Sequence, residues 1–220
     1  MKKLIIFDLD GTLIDTLEDL KNSVNYALNL RSFPLKSRED VRKAIGNGVA
    51  KLVARSIPDN ENNPEYLKTL ADFRKHYSKN SCVDTIPYAG VMEVLINLKS
   101  QGYILAVATN KLTDVARPLV EGFYPKLFDF IQGDEPGMDR KPGPMMIETL
   151  CQCFKVKKEE AFYIGDTNVD MQTAVNSGVD YVLVTYGYRT KEELLEQCKE
   201  SPMIESIREL PAYLKKIESI

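Results

Sequence analysis

Two aspartates near the start of the chain, Asp8 and Asp10, are the residues whose type and spacing point most directly to chemistry. They follow the apolar run at residues 4–7 and precede Gly11 and Thr12, which are typical of a tight turn. Side chains two apart on a strand point to the same side, and open parallel sheets bind ligands at the carboxyl ends of their strands. Two carboxylates held so close need a cation to share their charge, and a hard divalent ion such as Mg²⁺ is the usual one. The pair therefore suggests phosphoryl-transfer chemistry.

Polar residues also follow the later apolar runs. Thr109 and Asn110 offer a hydroxyl and a turn amide that suit phosphate oxygens. Lys141 offers a compact positive charge in a loop that prolines fix. Asp166 ends another run, and Asp170 lies one helical turn further on, on the same side. Each of these residues alone is typical of ordinary turns or solvated surface. Their order at the ends of successive strands, however, predicts one site that combines carboxylates, hydrogen-bond donors to phosphate and a cation.

The elements that must position these residues are alternating strands and helices. Runs that are apolar on both faces, separated by helical patterns, indicate a parallel sheet covered on both sides, which is an α/β fold. A further helix is expected to begin near Thr113, with Pro118 starting or kinking a turn, and the C-terminal tail is expected to be helical. The predicted strands lie at residues 4–7, 103–108, 130–131, 161–164 and 181–184, and the predicted helices at 91–100, 144–154 and 169–176.

An all-helical tract interrupts this alternation after the first strand. Its apolar residues recur at helical spacing, and no strand-like run lies within it. Two capping signals, Thr16 with Asp19 and Ser37 with Asp40, mark the starts of its first two helices. We therefore predict an inserted helical domain at residues 16–83, within an α/β core domain formed by residues 1–15 and 84–220.

Composition and charge exclude several classes of function. A net charge of −3 gives no electrostatic attraction to nucleic acid. No apolar run approaches membrane-spanning length, and Asp8 cuts short the run after Lys3 that would otherwise resemble a signal peptide. With His76 as the one histidine, the four cysteines are poorly supplied with partners for a zinc site, so reduced thiols are expected. We therefore expect a cytoplasmic protein that engages neither nucleic acid nor a membrane.

The polar stretches together resemble the four ordered motifs of the haloacid dehalogenase superfamily. The stretches are Asp8-Leu9-Asp10-Gly11-Thr12, Thr109-Asn110, Lys141-Pro142, and Gly165-Asp166 through Asp170. The resemblance implies a Rossmann-like parallel core with a helical cap inserted after the first motif. Two further stretches are similar to parts of phosphoglycolate phosphatases, namely Ala44-Ile45-Gly46-Asn47-Gly48 and Thr185-Tyr186-Gly187-Tyr188.

The resemblance implies catalytic roles for the first two aspartates. Asp8 is expected to attack phosphorus and form an aspartyl-phosphate. Asp10 is expected to protonate the leaving alcohol and then to take a proton from the hydrolytic water. Mg²⁺ is expected on the Asp8 side chain, the Asp10 backbone carbonyl and Asp166, while Asp170 orients these groups from behind.

Three further residues are implied to bind the phosphoryl group. Thr109, the Asn110 amide and the catalytic Lys141 are expected to compensate its charge during transfer. In the cap, Gly46, Asn47 and Gly48 could bring backbone donors to a small carboxylate, although a helix-ending turn explains them equally well. Nearby cations of the helical tract are typical of solvated surface; they are Arg42, Lys51 and Arg55.

The function expected from this resemblance is Mg²⁺-dependent hydrolysis of a small phosphorylated metabolite, with phosphoglycolate as the leading substrate. A sugar-phosphate mutase and a broad phosphatase for nucleotides or sugar phosphates remain alternatives. A dehalogenase is disfavoured because those enzymes lack an acid two residues after the nucleophile, where this chain has Asp10. A phosphate-binding module without turnover is disfavoured because every motif residue is present. The residues make no prediction of oligomeric state.

Overall fold

The computed structural model describes residues 1–219, which form two compact units. One unit comprises Met1–Ile14 and the chain from Pro87 onward, and the other comprises Asp15–Ile86. Among residues 1–219, no helix has the length and apolar character needed to cross a membrane. The strands are β1 Leu4–Phe7, β2 Ile14–Asp15, β3 Ile86–Pro87, β4 Ile104–Leu112, β5 Phe130–Asp134, β6 Ala161–Gly165, β7 Asp180–Val184 and β8 Met203–Ile204.

A parallel sheet organises the larger unit, as predicted. Its strand order is β5-β4-β1-β6-β7-β8, and β1 lies between β4 and β6 in parallel register. The helices of this unit are α5 Val91–Ser100, α6 Thr113–Phe123, α7 Met145–Phe154, α8 Asn168–Ser177, α9 Lys191–Gln197 and α10 Leu210–Glu218. They are numbered after the helices of the smaller unit, which are α1 Leu17–Asn29, α2 Arg38–Ala44, α3 Gly48–Ser56 and α4 Tyr66–Asn80.

Helices cover both faces of the sheet because β1 is apolar on both. Ile5 and Phe7 pack in one buried cluster with side chains of α5, α6 and α10, whereas Leu4 and Ile6 pack in another with side chains of α7. Alternate residues of a strand face opposite sides, so each cluster occupies one face. The predicted α/β fold class is confirmed.

Several local predictions for this unit need correction. The second core strand does not end at residue 108 but continues as β4 to Leu112, with an irregular register after Ala108. Thr109 and Asn110 therefore lie in an extended segment rather than in a turn. Pro118 lies inside α6 without ending it. The strands β2, β3 and β8 were not predicted, because two residues carry no periodic signal.

The smaller unit consists mainly of helices. The Ser37–Asp40 capping box is confirmed at the start of α2. The predicted pairing of Thr16 with Asp19 is wrong, because Thr16 makes no side-chain capping bond.

Asp19 instead ties the start of α1 to the segment that follows α4. Its buried carboxylate accepts backbone N–H bonds from Val83, Asp84 and Thr85 at 3.1, 2.9 and 3.0 Å. The Thr85 hydroxyl donates a further bond of 2.6 Å to it. The carboxylate thereby satisfies three consecutive backbone donors that no helix or strand pairs.

Replacing Asp19 with alanine is expected to lower the free energy of unfolding by about 3 kcal/mol, because several donors then lose their acceptor. Urea unfolding followed by circular dichroism measures the loss. Asp114→Ala is the control, because Asp114 is exposed on α6, and it should cost less than about 1 kcal/mol. Equal losses in the two variants would show that Asp19 does not anchor this segment.

Candidate active site

Three neighbouring strands bring polar residues of the sequence motifs to one edge of the sheet. Phe7 on β1 pairs in register with Val107 on β4 and Ile164 on β6. The residues that directly follow these positions therefore emerge at a common edge, which is the edge where open parallel sheets bind ligands.

A cluster of three carboxylates lies at this edge. Asp8, Asp166 and Asp170 each offer an oxygen, and these atoms lie within 4.8 Å of one another. All three residues are buried. Buried carboxylates repel one another unless a cation compensates them, so the cluster suggests a divalent metal ion.

Lys141 supplies one positive charge to this cluster. Its buried ammonium lies 2.7 Å from Asp8 Oδ1 and 2.7 Å from Asp170 Oδ1, and it donates a 2.9 Å bond to the Tyr163 hydroxyl. The structure thus brings together the predicted site residues Asp8, Lys141, Asp166 and Asp170.

The pKa shifts in this cluster show that one ammonium does not compensate all the negative charge. Burial raises the pKa of Asp8 to about 7, against the opposing charge of Lys141. Burial, followed by the charges of Asp170 and Asp8, raises the pKa of Asp166 well above its usual value. Burial also acts to lower the pKa of Lys141, but Asp170 and Asp8 outweigh it and raise that pKa. A cation at Asp8 and Asp166 would supply the missing positive charge, so these residues fit a divalent ion.

Asp170 differs from the other two acids because its oxygens already have many donors. Oδ1 accepts from Lys141 and from the Tyr163 hydroxyl at 2.9 Å. Oδ2 accepts from the Asp166 N–H and from both the N–H and the hydroxyl of Thr167. Although burial opposes ionisation, the ion pair and these bonds hold the pKa of Asp170 below its usual value. This environment suits a residue that orients its neighbours.

Asp166 is held by residues from two distant parts of the chain. Thr12 donates its hydroxyl to Oδ1 at 3.2 Å, and the Tyr188 N–H donates to Oδ2 at 2.7 Å. A Cβ on Gly11 would lie 2.3 Å from Asp166 Oδ2, and one on Gly187 would lie 2.4 Å from Asp166 Cβ. Both positions therefore require glycine for the carboxylate to lie where it does.

The Asn110 side chain contacts the loop that carries Lys141. Its Oδ1 accepts the Lys141 N–H at 2.9 Å, and its Nδ2 donates to the Lys141 carbonyl at 3.0 Å. Buried Thr109 accepts the Lys111 N–H on its hydroxyl oxygen at 3.2 Å. The predicted phosphate-binding roles of Thr109, the Asn110 amide and Lys141 stay predictions.

Asp10 lies outside the three-carboxylate cluster and pairs with a lysine that the sequence did not single out. Lys111 Nζ lies 2.7 and 2.8 Å from the two carboxylate oxygens of Asp10. The Lys111 side chain is only 6% exposed, and that of Asp10 is 23% exposed. The one feature of the sequence that could have pointed to Lys111 is its position directly after the Thr109-Asn110 pair.

Other contributors had weaker signals in the sequence. Tyr163 lies within a strand, where an aromatic residue is normally interpreted as part of the hydrophobic core. Tyr188 contributes through its backbone N–H. Tyr186 donates its hydroxyl to the Thr12 carbonyl at 2.9 Å, a contact that nothing in the sequence indicates. Their roles depend on contacts across the fold rather than on local pattern.

Three residues of the helical unit were predicted to contact substrate; Gly46 and Asn47 lie between α2 and α3, and Gly48 begins α3. Gly46, Asn47 and Gly48 all have positive φ angles, of 128°, 62° and 82°. Arg55 donates to the Ala44 and Gly46 carbonyls at 2.8 and 3.0 Å, which fixes this turn. The turn interpretation thus describes its local structure, and contact with substrate stays a prediction. The other two cations named in the sequence analysis also pair with acids, Arg42 with Glu39 and Lys51 with Glu61.

Comparison with known proteins assigns the family. Residues 5–184 match the model of haloacid dehalogenase-like hydrolases. The chain belongs to this family. It is 31% identical over 200 residues to phosphoglycolate phosphatase from Colwellia psychrerythraea, covering 88% of each chain. It is 36% identical over 194 residues to the enzyme of that name from Pasteurella multocida, covering 84% of this chain and 87% of the relative.

A solved structure agrees with this family membership. The crystal structure of a predicted phosphoglycolate phosphatase from Haemophilus somnus superposes with a TM-score of 0.87 at 32% identity. The match covers 97% of this chain and 98% of that one. The family resemblance predicted from the motifs is confirmed.

Replacing Gly187 with alanine is expected to weaken Mg²⁺ binding at least about tenfold, because the new Cβ displaces Asp166. Titration calorimetry measures the affinity. Gly122→Ala is the matched control, because a Cβ there meets open space. Unchanged affinity in the Gly187 variant would contradict the placement of Asp166 at a metal site.

The raised pKa of Asp8 also predicts that Mg²⁺ affinity increases with pH. An acid with a pKa of about 7 holds a proton below neutrality, and a cation must displace that proton. The contribution of Asp8 to the affinity should therefore rise up to about tenfold per pH unit below 7 and level off above it. Calorimetric titrations from about pH 5.5 to 8.5 measure this dependence.

The same shift makes the metal-free fold less stable as pH rises from 3.8 to about 7, because unfolded Asp8 ionises at the lower value. Asp8→Asn removes this titration and should reduce the slope of both pH profiles, while Asp166, whose pKa is also raised, continues to titrate. An affinity that is independent of pH in the unmutated protein would contradict the assignment.

Proposed function

We propose that this chain is a Mg²⁺-dependent phosphatase that hydrolyses phosphoglycolate through an aspartyl-phosphate on Asp8. The observation that carries the proposal is the buried cluster of Asp8, Asp166 and Asp170 with the Lys141 ammonium on Asp8. The names of the relatives support a phosphatase and favour phosphoglycolate over a sugar phosphate. We propose that the substrate is a small phosphorylated metabolite and that the protein acts in the cytoplasm.

Oxygen donors from three residues would hold the metal ion. These are the carboxylates of Asp8 and Asp166 and the backbone carbonyl of Asp10, a donor set that suits a hard cation. When bound, Mg²⁺ would neutralise charge on the phosphate oxygens and on the acids. Thr12 and Tyr188 keep Asp166 in position for this task.

Asp8 would perform the substitution at phosphorus. One carboxylate oxygen forms a bond to phosphorus as the bond from phosphorus to the ester oxygen breaks. Asp10 gives its proton to the leaving alcohol. In the second half, Asp10 takes a proton from water as the water oxygen bonds to phosphorus, and Asp8 is released.

Lys141 would have two effects on this chemistry. Its ammonium fixes the orientation of Asp8 through the 2.7 Å ion pair, and its charge would stabilise the transferring group. Thr109 and the Asn110 backbone amide are proposed as further donors to that group. Because the site is buried, these charges act without the screening of bulk water.

The helical unit is proposed to act as the cap of this enzyme, with residues 46–48 among those that choose the leaving group. The segment leads directly into the N-terminus of α3 at Gly48, and the backbone N–H groups at the start of a helix can bind an anion.

Replacing Asp8 with asparagine is expected to lower turnover at least about a thousandfold, because the nucleophile is lost. Phosphate release from phosphoglycolate, with and without Mg²⁺, measures this effect. Far-UV circular dichroism should show that the variant is folded, and Asp114→Asn on exposed α6 should retain full activity. A variant that keeps most of the activity would exclude Asp8 as the nucleophile.

Assaying the unmutated protein on a panel of phosphate monoesters distinguishes the proposed function from a broad phosphatase and from a sugar-phosphate mutase. Phosphoglycolate should have the highest kcat/KM. Equal turnover of nucleotides and sugar phosphates would indicate a broad phosphatase, and isomerised sugar phosphate without free phosphate would indicate a mutase.

A further inference from the structure

Lys111 is a buried cation beside the proposed acid–base residue, and the mechanism above gives it no task. Its ammonium contacts both oxygens of Asp10, at 2.7 and 2.8 Å. The side chain is 6% exposed, so its charge is shielded from bulk solvent. We propose that Lys111 determines specificity by binding a carboxylate on the carbon next to the ester oxygen of the substrate. This inference rests on the proposed phosphatase function.

The position of Lys111 follows from the irregular end of β4. The register of β4 with β5 shifts between Ala108 and Leu112. Thr109 accepts the Lys111 N–H on its hydroxyl oxygen at 3.2 Å, which fixes the backbone at that residue. The lysine therefore lies at the same end of β4 as Thr109 and Asn110, which are proposed to donate hydrogen bonds to phosphate, and its side chain reaches Asp10.

Distances along this chain of contacts match a small carboxylated alcohol. Asp10 must contact the ester oxygen to protonate it, and Lys111 lies one hydrogen bond beyond Asp10. Two hydrogen bonds in series place the ammonium within roughly 6 Å of the ester oxygen. In phosphoglycolate the carboxylate carbon is attached to the carbon that bears this oxygen. The carboxylate can therefore lie between the ester oxygen and the Lys111 ammonium.

Charge explains why such a substrate needs this lysine. The edge already carries Asp8, Asp166 and Asp170, which would repel a second negative group on the substrate. Lys141 is engaged by Asp8 and Asp170. A buried ammonium on the Asp10 side offsets that repulsion for an anionic leaving group, whereas an uncharged leaving group gains nothing from it.

The test compares phosphoglycolate with its amide, phosphoglycolamide, which has nearly the same shape but no second charge. The unmutated enzyme should show a kcat/KM at least about tenfold higher for the acid. Lys111→Met should lower kcat/KM for phosphoglycolate by about tenfold to a hundredfold. The ratio between the two substrates should then fall to roughly one, while Lys111→Arg keeps a clear preference for the acid.

The decisive readout is this ratio, because a purely structural lysine would lower both activities equally. An unchanged ratio in Lys111→Met overturns the inference. Lys191→Met is the matched control, because exposed Lys191 forms an ion pair with Glu205, and this variant should leave both values unchanged.

The outcome stays decisive if Lys111→Met does not fold. An unmutated enzyme that hydrolyses both substrates equally well overturns the inference by itself and leaves the phosphatase function standing. An enzyme that releases phosphate from neither substrate, nor from an aryl phosphate, contradicts the proposed function instead.

Discussion

The buried ammonium of Lys141 between Asp8 and Asp170 is the interaction on which the rest of the site depends. Burying carboxylates is costly, and an ion pair offsets that cost only when its geometry is good and the remaining hydrogen bonds are made. Both distances are 2.7 Å, and Tyr163 contacts both Lys141 and Asp170. The pKa of Asp8 is still raised to about 7, so the cluster retains room for a divalent cation. The uncompensated negative charge explains why a site that already holds one ammonium would still attract a metal ion.

Much of the surrounding chain serves to hold these charges in place. The Asn110 side chain bonds to both backbone groups of Lys141. Gly11 and Gly187 allow the backbone to approach Asp166, where any side chain would collide with it. Catalysis of phosphoryl transfer depends mainly on positioning and on charge stabilisation, which explains why residues that are far apart in sequence converge on a few carboxylate oxygens.

The sequence pattern identified the main residues that the structure brings together at the sheet edge, but it did not identify most of their hydrogen-bond partners. Asp8, Lys141, Asp166 and Asp170 were found because apolar strands and the polar residues after them leave a local pattern. Lys111 was missed because its significance lies in a contact with Asp10, 101 positions away. Tyr188 lies in a stretch that resembles phosphoglycolate phosphatases, but nothing in the sequence indicates the bond from its backbone N–H to Asp166. Asp19 was misread as a cap because a local spacing hid its bonds to residues 83–85.

A crystal structure with Mg²⁺ and beryllium fluoride, which mimics a phosphoryl group on a carboxylate, tests the central claim most directly. The account predicts beryllium bonded to an Asp8 oxygen, Mg²⁺ on Asp8 and Asp166, and the Lys141 ammonium against a fluoride. Beryllium fluoride bonded to another residue, or Mg²⁺ bound away from Asp166 with Asp8 free, would contradict it.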